Sequence, residues 1–110
     1  MQRKIKCSLL SDRKITLKEK GVIHLVEIDN ITHILCQGYL STVYTTNNGN
    51  ITVSKLLKQF EEELSNMGFM RINHNAIVNC LYVDKIKRGT KRTITLSNNH
   101  VEIKISRRKT

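Results

Sequence analysis

The sequence predicts a mainly β domain that carries one short amphipathic helix. Three observations lead there. Apolar residues fall in short, β-branched-rich runs such as Val22–Val26, Ile31–Cys36 and Leu40–Thr46, parted by Asn and Gly. Only one stretch, residues 54–67, spaces its apolar side chains at helical intervals. The 110 residues (12.7 kDa) hold no proline, five glycines and no linker-like or repeated stretch, so one domain over 1–110 is expected.

The elements follow in chain order. Residues 14–18 alternate basic and β-compatible side chains, and the apolar run 22–26 predicts a buried strand. Residues 31–36 and 40–46 predict two more strands. Asn48-Gly49, both tolerant of positive φ, then turns the chain into a return strand at 51–53. The helix is expected next, with Ser54 as N-cap and Leu56, Leu57, Phe60, Leu64 and Met67 as its apolar stripe. Asn66 or Gly68 ends it. The stripe predicts packing on a sheet. After 69–72 and an unusual Asn73–Asn79 stretch, residues 82–87 predict a strand and Arg88-Gly89-Thr90 a turn. The runs 92–97 and 100–105, joined at Asn98-Asn99, predict a hairpin whose apolar face is Ile94, Leu96, Val101, Ile103 and Ile105.

Charge is the strongest functional signal. Nineteen Lys and Arg against nine Asp and Glu give +10 and a pI near 9.9. The charge is uneven: +5 over residues 1–20, −2 over 21–80 and +7 over 81–110. Basic groups spread for solubility would not leave the middle acidic. Two basic ends brought together would make one positive face, suited to a polyanion. Nucleic acid is the first partner class this implies and an anionic membrane surface the second. No apolar run approaches the ~18 residues of a membrane span. The first ten residues lack the apolar core of a secretory signal. Cys7, Cys36 and Cys80 are odd in number and form no C-x-x-C pair, so a reducing cytoplasm is the expected compartment.

Signatures of catalysis are missing, and neither enzyme activity, a cofactor nor a metal is expected. There is no phosphate-cradling Gly-rich loop, no G-x-S-x-G and no H-E-x-x-H. His24 and His33 sit in apolar strands and read as core histidines. Glu61, Glu62 and Glu63 read as a solvated helix face. Cys36 and Cys80 lie in apolar runs and read as small buried hydrophobes.

Several segments together resemble a known family. Residues 26–34 (VEIDNITHI) resemble the "plxdIlyie" opening of the LytTR DNA-binding domain. The strand after Gly38, the Asn-Gly turn and the Ser-x-Leu-Leu helix follow in that family's order. Residues 68–79 (GFMRINHNAIVN) look like its "FvrvHRSylVN" block, and Ile105–Arg108 (ISRR) looks like its "vSrr" ending. The resemblance covers about residues 12–108. No single motif is specific; four in order, on a basic β frame, are more so.

The resemblance implies an elongated arrangement of small antiparallel sheets. It implies that loops enter successive major grooves of duplex DNA at direct-repeat operators of bacterial promoters. It also implies an upstream receiver domain, as in two-component response regulators, and two copies per operator. Residue by residue, Arg108 falls at the family's base-contacting position, flanked by Ser106 and Arg107; a guanidinium can bond two guanine acceptors at once. His74 and Asn75 fall at the Arg-Ser of "HRS". The substitution keeps hydrogen-bonding groups there and changes what they can read. Alternatively, Asn73 and Asn75 only shape the turn through side chain–backbone bonds. Tyr39 and Ser41 lie where the family places another groove-entering loop; for Tyr39, packing on the sheet is the other reading. Arg71 and Arg92 match basic positions near the DNA backbone and are expected on phosphates. Two other classes stay open. A basic β-rich RNA-binding module suits the charge, although Tyr39, Tyr44 and Tyr82 form no stacking cluster in the sequence. A protein-interaction module with an acidic partner is the third.

Overall fold

The computed structural model describes residues 14–47, 49–97 and 101–106. Among these, ten strands form three antiparallel sheets with one α-helix. Strands β1 (Lys14–Glu19) and β2 (Val22–Glu27) form a hairpin. The central sheet has the order β5-β4-β3-β7-β6 and uses Ile31–Gln37 (β3), Leu40–Thr45 (β4), Asn50–Val53 (β5), Phe69–Asn73 (β6) and Ala76–Asn79 (β7). The third sheet, β10-β9-β8, uses Val83–Lys87 (β8), Thr93–Leu96 (β9) and Glu102–Lys104 (β10). The body is elongated, 56 × 28 × 26 Å.

Strand alternation sends neighbouring residues of the central sheet into two different cores. Ile34 of β3 and Ile77 of β7 are register partners and point to one face. There they join Val43, Ile51, Leu17, Val26 and the helix residue Phe60. Ala76 and Val78 of β7, with Leu35 of β3, point to the other face. There they meet Ile94, Leu96 and Ile103 of the third sheet. The hairpin β1–β2 and the helix therefore cover one face, and β8–β10 cover the other. The expected apolar face of the last hairpin is this second core: Ile94, Leu96 and Ile103 are buried, and Val101 and Ile105 pack against it half-buried. The Asn98-Asn99 turn and His100 lie outside the described residues, as does Asn48 of the first expected turn.

The helix α1 (Leu57–Glu63) is only seven residues long. A segment that short has no independent stability in water. It is held by burial of Leu57 and Phe60, with Leu64 just beyond its end; each such side chain contributes about 1.5–3 kcal/mol. Ser54 does not cap it. The helix starts after Leu56, whose N–H donates to Gln59 Oε1 (3.0 Å). Ser54 lies three residues before the first helical residue. Leu56 and Met67 leave the expected stripe and are exposed. The chain escapes the helix through Asn66 and Gly68, both at positive φ.

Three more expectations change. β2 forms as predicted, but Val22, Ile23 and Leu25 are exposed and only Val26 enters the core. Ile23 and Leu25 alternate onto the hairpin's outer face, while Val22 shares the face of Val26 but lies beside the Lys20-Gly21 turn at the hairpin's end. His24 is half-buried beside Glu19 (3.4 Å) rather than enclosed in the core. Cys36 is half-buried and Cys80 exposed, because each sits at a strand end beside a turn; Cys7 lies outside the described residues.

Candidate nucleic-acid interface

Strand register decides which turns share an end of the molecule. β3 runs antiparallel to β7 with Leu35 opposite Ala76. The β3–β4 turn (Gly38-Tyr39) and the β6–β7 turn (His74-Asn75) thus stand side by side, joined by Cys36 N–H donating to Asn75 O (2.9 Å). The third sheet delivers two further segments to the same end. Lys104 of β10 lies opposite Thr93 of β9, and Ile105 N–H donates to Arg92 O (2.8 Å). Ser106 N–H donates to Ile72 O (3.2 Å), and Asn73 Nδ2 donates to Lys104 O (2.7 Å). Four segments therefore meet at one end: two central-sheet turns, the β8–β9 loop and the end of β10. Between β3–β4, the β6–β7 turn and the end of β10 lies an open cleft of about 470 Å³, lined by Gln37, Thr42, Tyr44, His74, Asn75 and Ser106 among others.

The two turns are built differently. Gly38 takes φ 65°, which a β-carbon would oppose, and Tyr39 beside it is 84% exposed. Packing of Tyr39 on the sheet, the alternative from the sequence, is absent. The β6–β7 turn is braced instead. Asn73 Oδ1 accepts from Asn75 N–H (2.7 Å), and Arg71 donates through Nη2 to His74 O (3.0 Å) and through Nε to Asn73 O (3.4 Å). Arg71 Nη1 meets Glu61 Oε1 of the helix at 3.1 Å. The half-buried Arg71 guanidinium thus braces the turn, an engagement the sequence did not indicate. His74 and Asn75 themselves are exposed.

Ser41 is corrected outright. It is fully buried, and its Oγ donates to Lys55 O (2.6 Å), so it fastens β4 to the segment before the helix. It pairs with Cys36 on the face turned toward the helix, which its distance from Gly38 along the chain did not reveal. Arg92 and Ser106 are exposed at the four-segment end; Arg107 and Arg108 lie outside the described residues. Gln37 and Lys104 were missed by the sequence reading, although both border segments it did single out.

The charge is distributed by sheet. Lys85, Lys87 and Lys104 lie on the outer side of β8–β10, opposite the buried Ile94 and Ile103, and Arg88, Lys91 and Arg92 fill the adjoining loop. Glu102 is an acid on the same side. Hydrogen bonds from Lys87 (3.0 Å) and Thr93 (3.0 Å) hold its carboxyl below the usual range, so it stays ionised. The described lysines of the hairpin, Lys14, Lys18 and Lys20, belong to the opposite face of the central sheet. The single positive face expected from both chain ends is therefore not formed by them.

Beneath the cleft, His33 stacks on Tyr44 with centroids 4.3 Å apart and planes at 4°. Thr32 Oγ1 donates to Tyr44 O (3.2 Å), so it must accept from His33 Nδ1–H (2.8 Å), which places a proton on Nδ1. Burial lowers the His33 pKa to about 4. At the far end of the sheet, Asn79 donates to Ile31 O (2.8 Å) and accepts from Leu81 N–H (3.0 Å), pinning the connection into β8.

Among the described residues, no group of three or more His, Cys, Asp and Glu is placed to hold a metal ion, and no helix is long and apolar enough to cross a membrane. No curated protein matches the chain. A solved LytTr DNA-binding domain from a Bacillus cereus response regulator has the same fold, with a TM-score of 0.72 at 19% identity over 86% of each chain. The profile of the LytTr DNA-binding domain matches residues 21–110, which takes in all three sheets except β1, together with the whole four-segment end. With that match over most of its length, this chain belongs to the LytTr family of DNA-binding domains.

Proposed function

We propose that the four-segment end reads duplex DNA sequence-specifically, and that the protein acts as a bacterial transcriptional regulator. The observation that carries this reading is the convergence of exposed hydrogen-bonding groups and cations at one end. His74 and Asn75 stand on a braced turn there, with Tyr39 beside them, Ser106 across the cleft and Arg92 bonded to the β10 end at Ile105. Side chains fixed in this way can meet base edges, while the surrounding lysines and arginines meet phosphates. The chain continues from Ser106 into Arg107 and Arg108, which adds two guanidinium groups to that segment. The two central-sheet turns and the β10 end would occupy successive major grooves of a direct-repeat operator, with two copies of the domain per operator. The compartment is the cytoplasm. The regulatory partner is a receiver domain upstream, as in a two-component system; the Bacillus cereus relative is itself the DNA-binding domain of a putative methyl-accepting/DNA response regulator.

Selection from a random duplex pool near physiological salt tests the proposal. Enrichment of a paired, repeat-like motif is expected. If about six phosphates are neutralised, log affinity falls with log salt at a slope near −5. Retention without enrichment would mean that charge alone drives binding. A preference for single strands or RNA, or no retention, would overturn the reading.

A further inference from the structure

We propose that Asn73 is a positioning residue for DNA recognition: its carboxamide straps the β6–β7 turn to the end of β10, holding His74, Asn75 and the Ser106 segment in one arrangement. The inference rests on the proposed reading that these segments meet DNA. Asn73 Oδ1 accepts from Asn75 N–H and Nδ2 donates to Lys104 O, both at 2.7 Å. One partner is a donor and the other an acceptor, so the orientation of the amide is fixed by its neighbours. The second bond joins residues 31 positions apart, in two different sheets.

No ladder connects β6 to β10. Apart from their shared core, the two are held together at this end by the Asn73 bond and by Ser106 N–H to Ile72 O. The register shift between Arg71 and Asn73 supplies the local cause. A bulge re-aims the side chain that follows it. Ser and Ala lack the reach to Lys104 O, and Asp lacks the donor. A carboxamide of this length satisfies both ends.

Base reading needs groups placed to within a fraction of an ångström, whereas phosphate contacts tolerate displacement. A positioning role therefore shows as a split between specific and non-specific binding. Wild type, Asn73→Ser, Asn73→Ala and His74→Ala are measured on the selected duplex and on a scrambled duplex of equal length. Amide hydrogen exchange at Asn75 and Ser106 is followed in the free proteins. Serine can still accept from Asn75 N–H. Asn73→Ser is expected to weaken selected-duplex binding about fivefold, the worth of one net hydrogen bond, and to change scrambled-duplex binding less than about twofold. Its Ser106 amide exchanges faster while that of Asn75 stays protected; Asn73→Ala loses protection at both. Equal weakening on both duplexes, or unchanged Ser106 exchange, would overturn the strap. Loss in His74→Ala without loss in Asn73→Ser would overturn the strap and leave DNA reading standing. A wild type that does not prefer the selected duplex would overturn both.

Discussion

The β3–β4 and β6–β7 turns stand side by side and present their residues by opposite means. The first is a bare turn: a glycine at positive φ and one highly exposed tyrosine, with Cys36 Sγ to Gly38 O (3.5 Å) its one side-chain bond of note. The second is held by Arg71 and Asn73 from within, by Cys36 N–H from the side, and by Lys104 O from another sheet. A turn with many short bonds places its side chains in one position. A bare turn offers an aromatic surface that adjusts. The braced turn suits base reading, and the bare one suits contact with sugar, phosphate or a thymine methyl.

Both turns depend on the sheet beneath them, and the largest expected effect comes from its packing. Phe60 is fully buried where the helix meets the central sheet. Phe60→Ala should cost about 3–5 kcal/mol, read in chemical denaturation, and both turns should lose their order together. A loss confined to one turn would show that they do not share a support.

Next in size is the pH dependence of the same sheet. The folded His33 pKa of about 4 lies below its unfolded value of 6.5. Above pH 6.5 both states hold it neutral and its contribution is complete. Between pH 6.5 and 4 the unfolded chain takes the proton and the folded one does not, so stability falls as pH falls, levelling off below about 4. The integrated loss is up to about 3 kcal/mol. His33→Gln should flatten this part of the stability–pH curve relative to wild type.

The turns themselves should separate on DNA. His74→Ala is expected to cost about 1–3 kcal/mol on the selected duplex and to relax preference at one base position, with stability changed by less than about 0.5 kcal/mol. Tyr39→Ala should have the smallest effect, about 1 kcal/mol or less, felt similarly on selected and scrambled duplexes. The reverse ranking in a binding assay would assign base reading to the bare turn.

Much of the fold was legible because strands and turns are local. Alternation in 93–96 and 101–105, the β-branched runs and the turn at Gly49 each lead to an observed element. What escaped was set by which face another element covers. Ser41 sits one position from an exposed residue yet is sealed under the segment before the helix. Ile23 and Leu25 are as apolar as core residues and remain outside, since they alternate onto the hairpin's uncovered face, whereas Val22 shares the face of Val26 but sits at the turn end of the hairpin. The helix start moved to Leu56 because the side chain of Gln59 satisfies its N–H, whereas Ser54 is too far back to act. Arg71 illustrates the limit at the candidate site: a basic residue beside an exposed turn invites a phosphate role, and only its distances to Glu61 and the turn carbonyls reveal a brace.

The most direct test of the four-segment interface is an amide chemical-shift titration of the free domain with the selected duplex. Perturbations should gather at residues 37–40, 73–75, 88–92 and 104–106, while residues 14–27 of the hairpin stay unmoved. Perturbations centred on the hairpin and helix face, with the two turns silent, would contradict it.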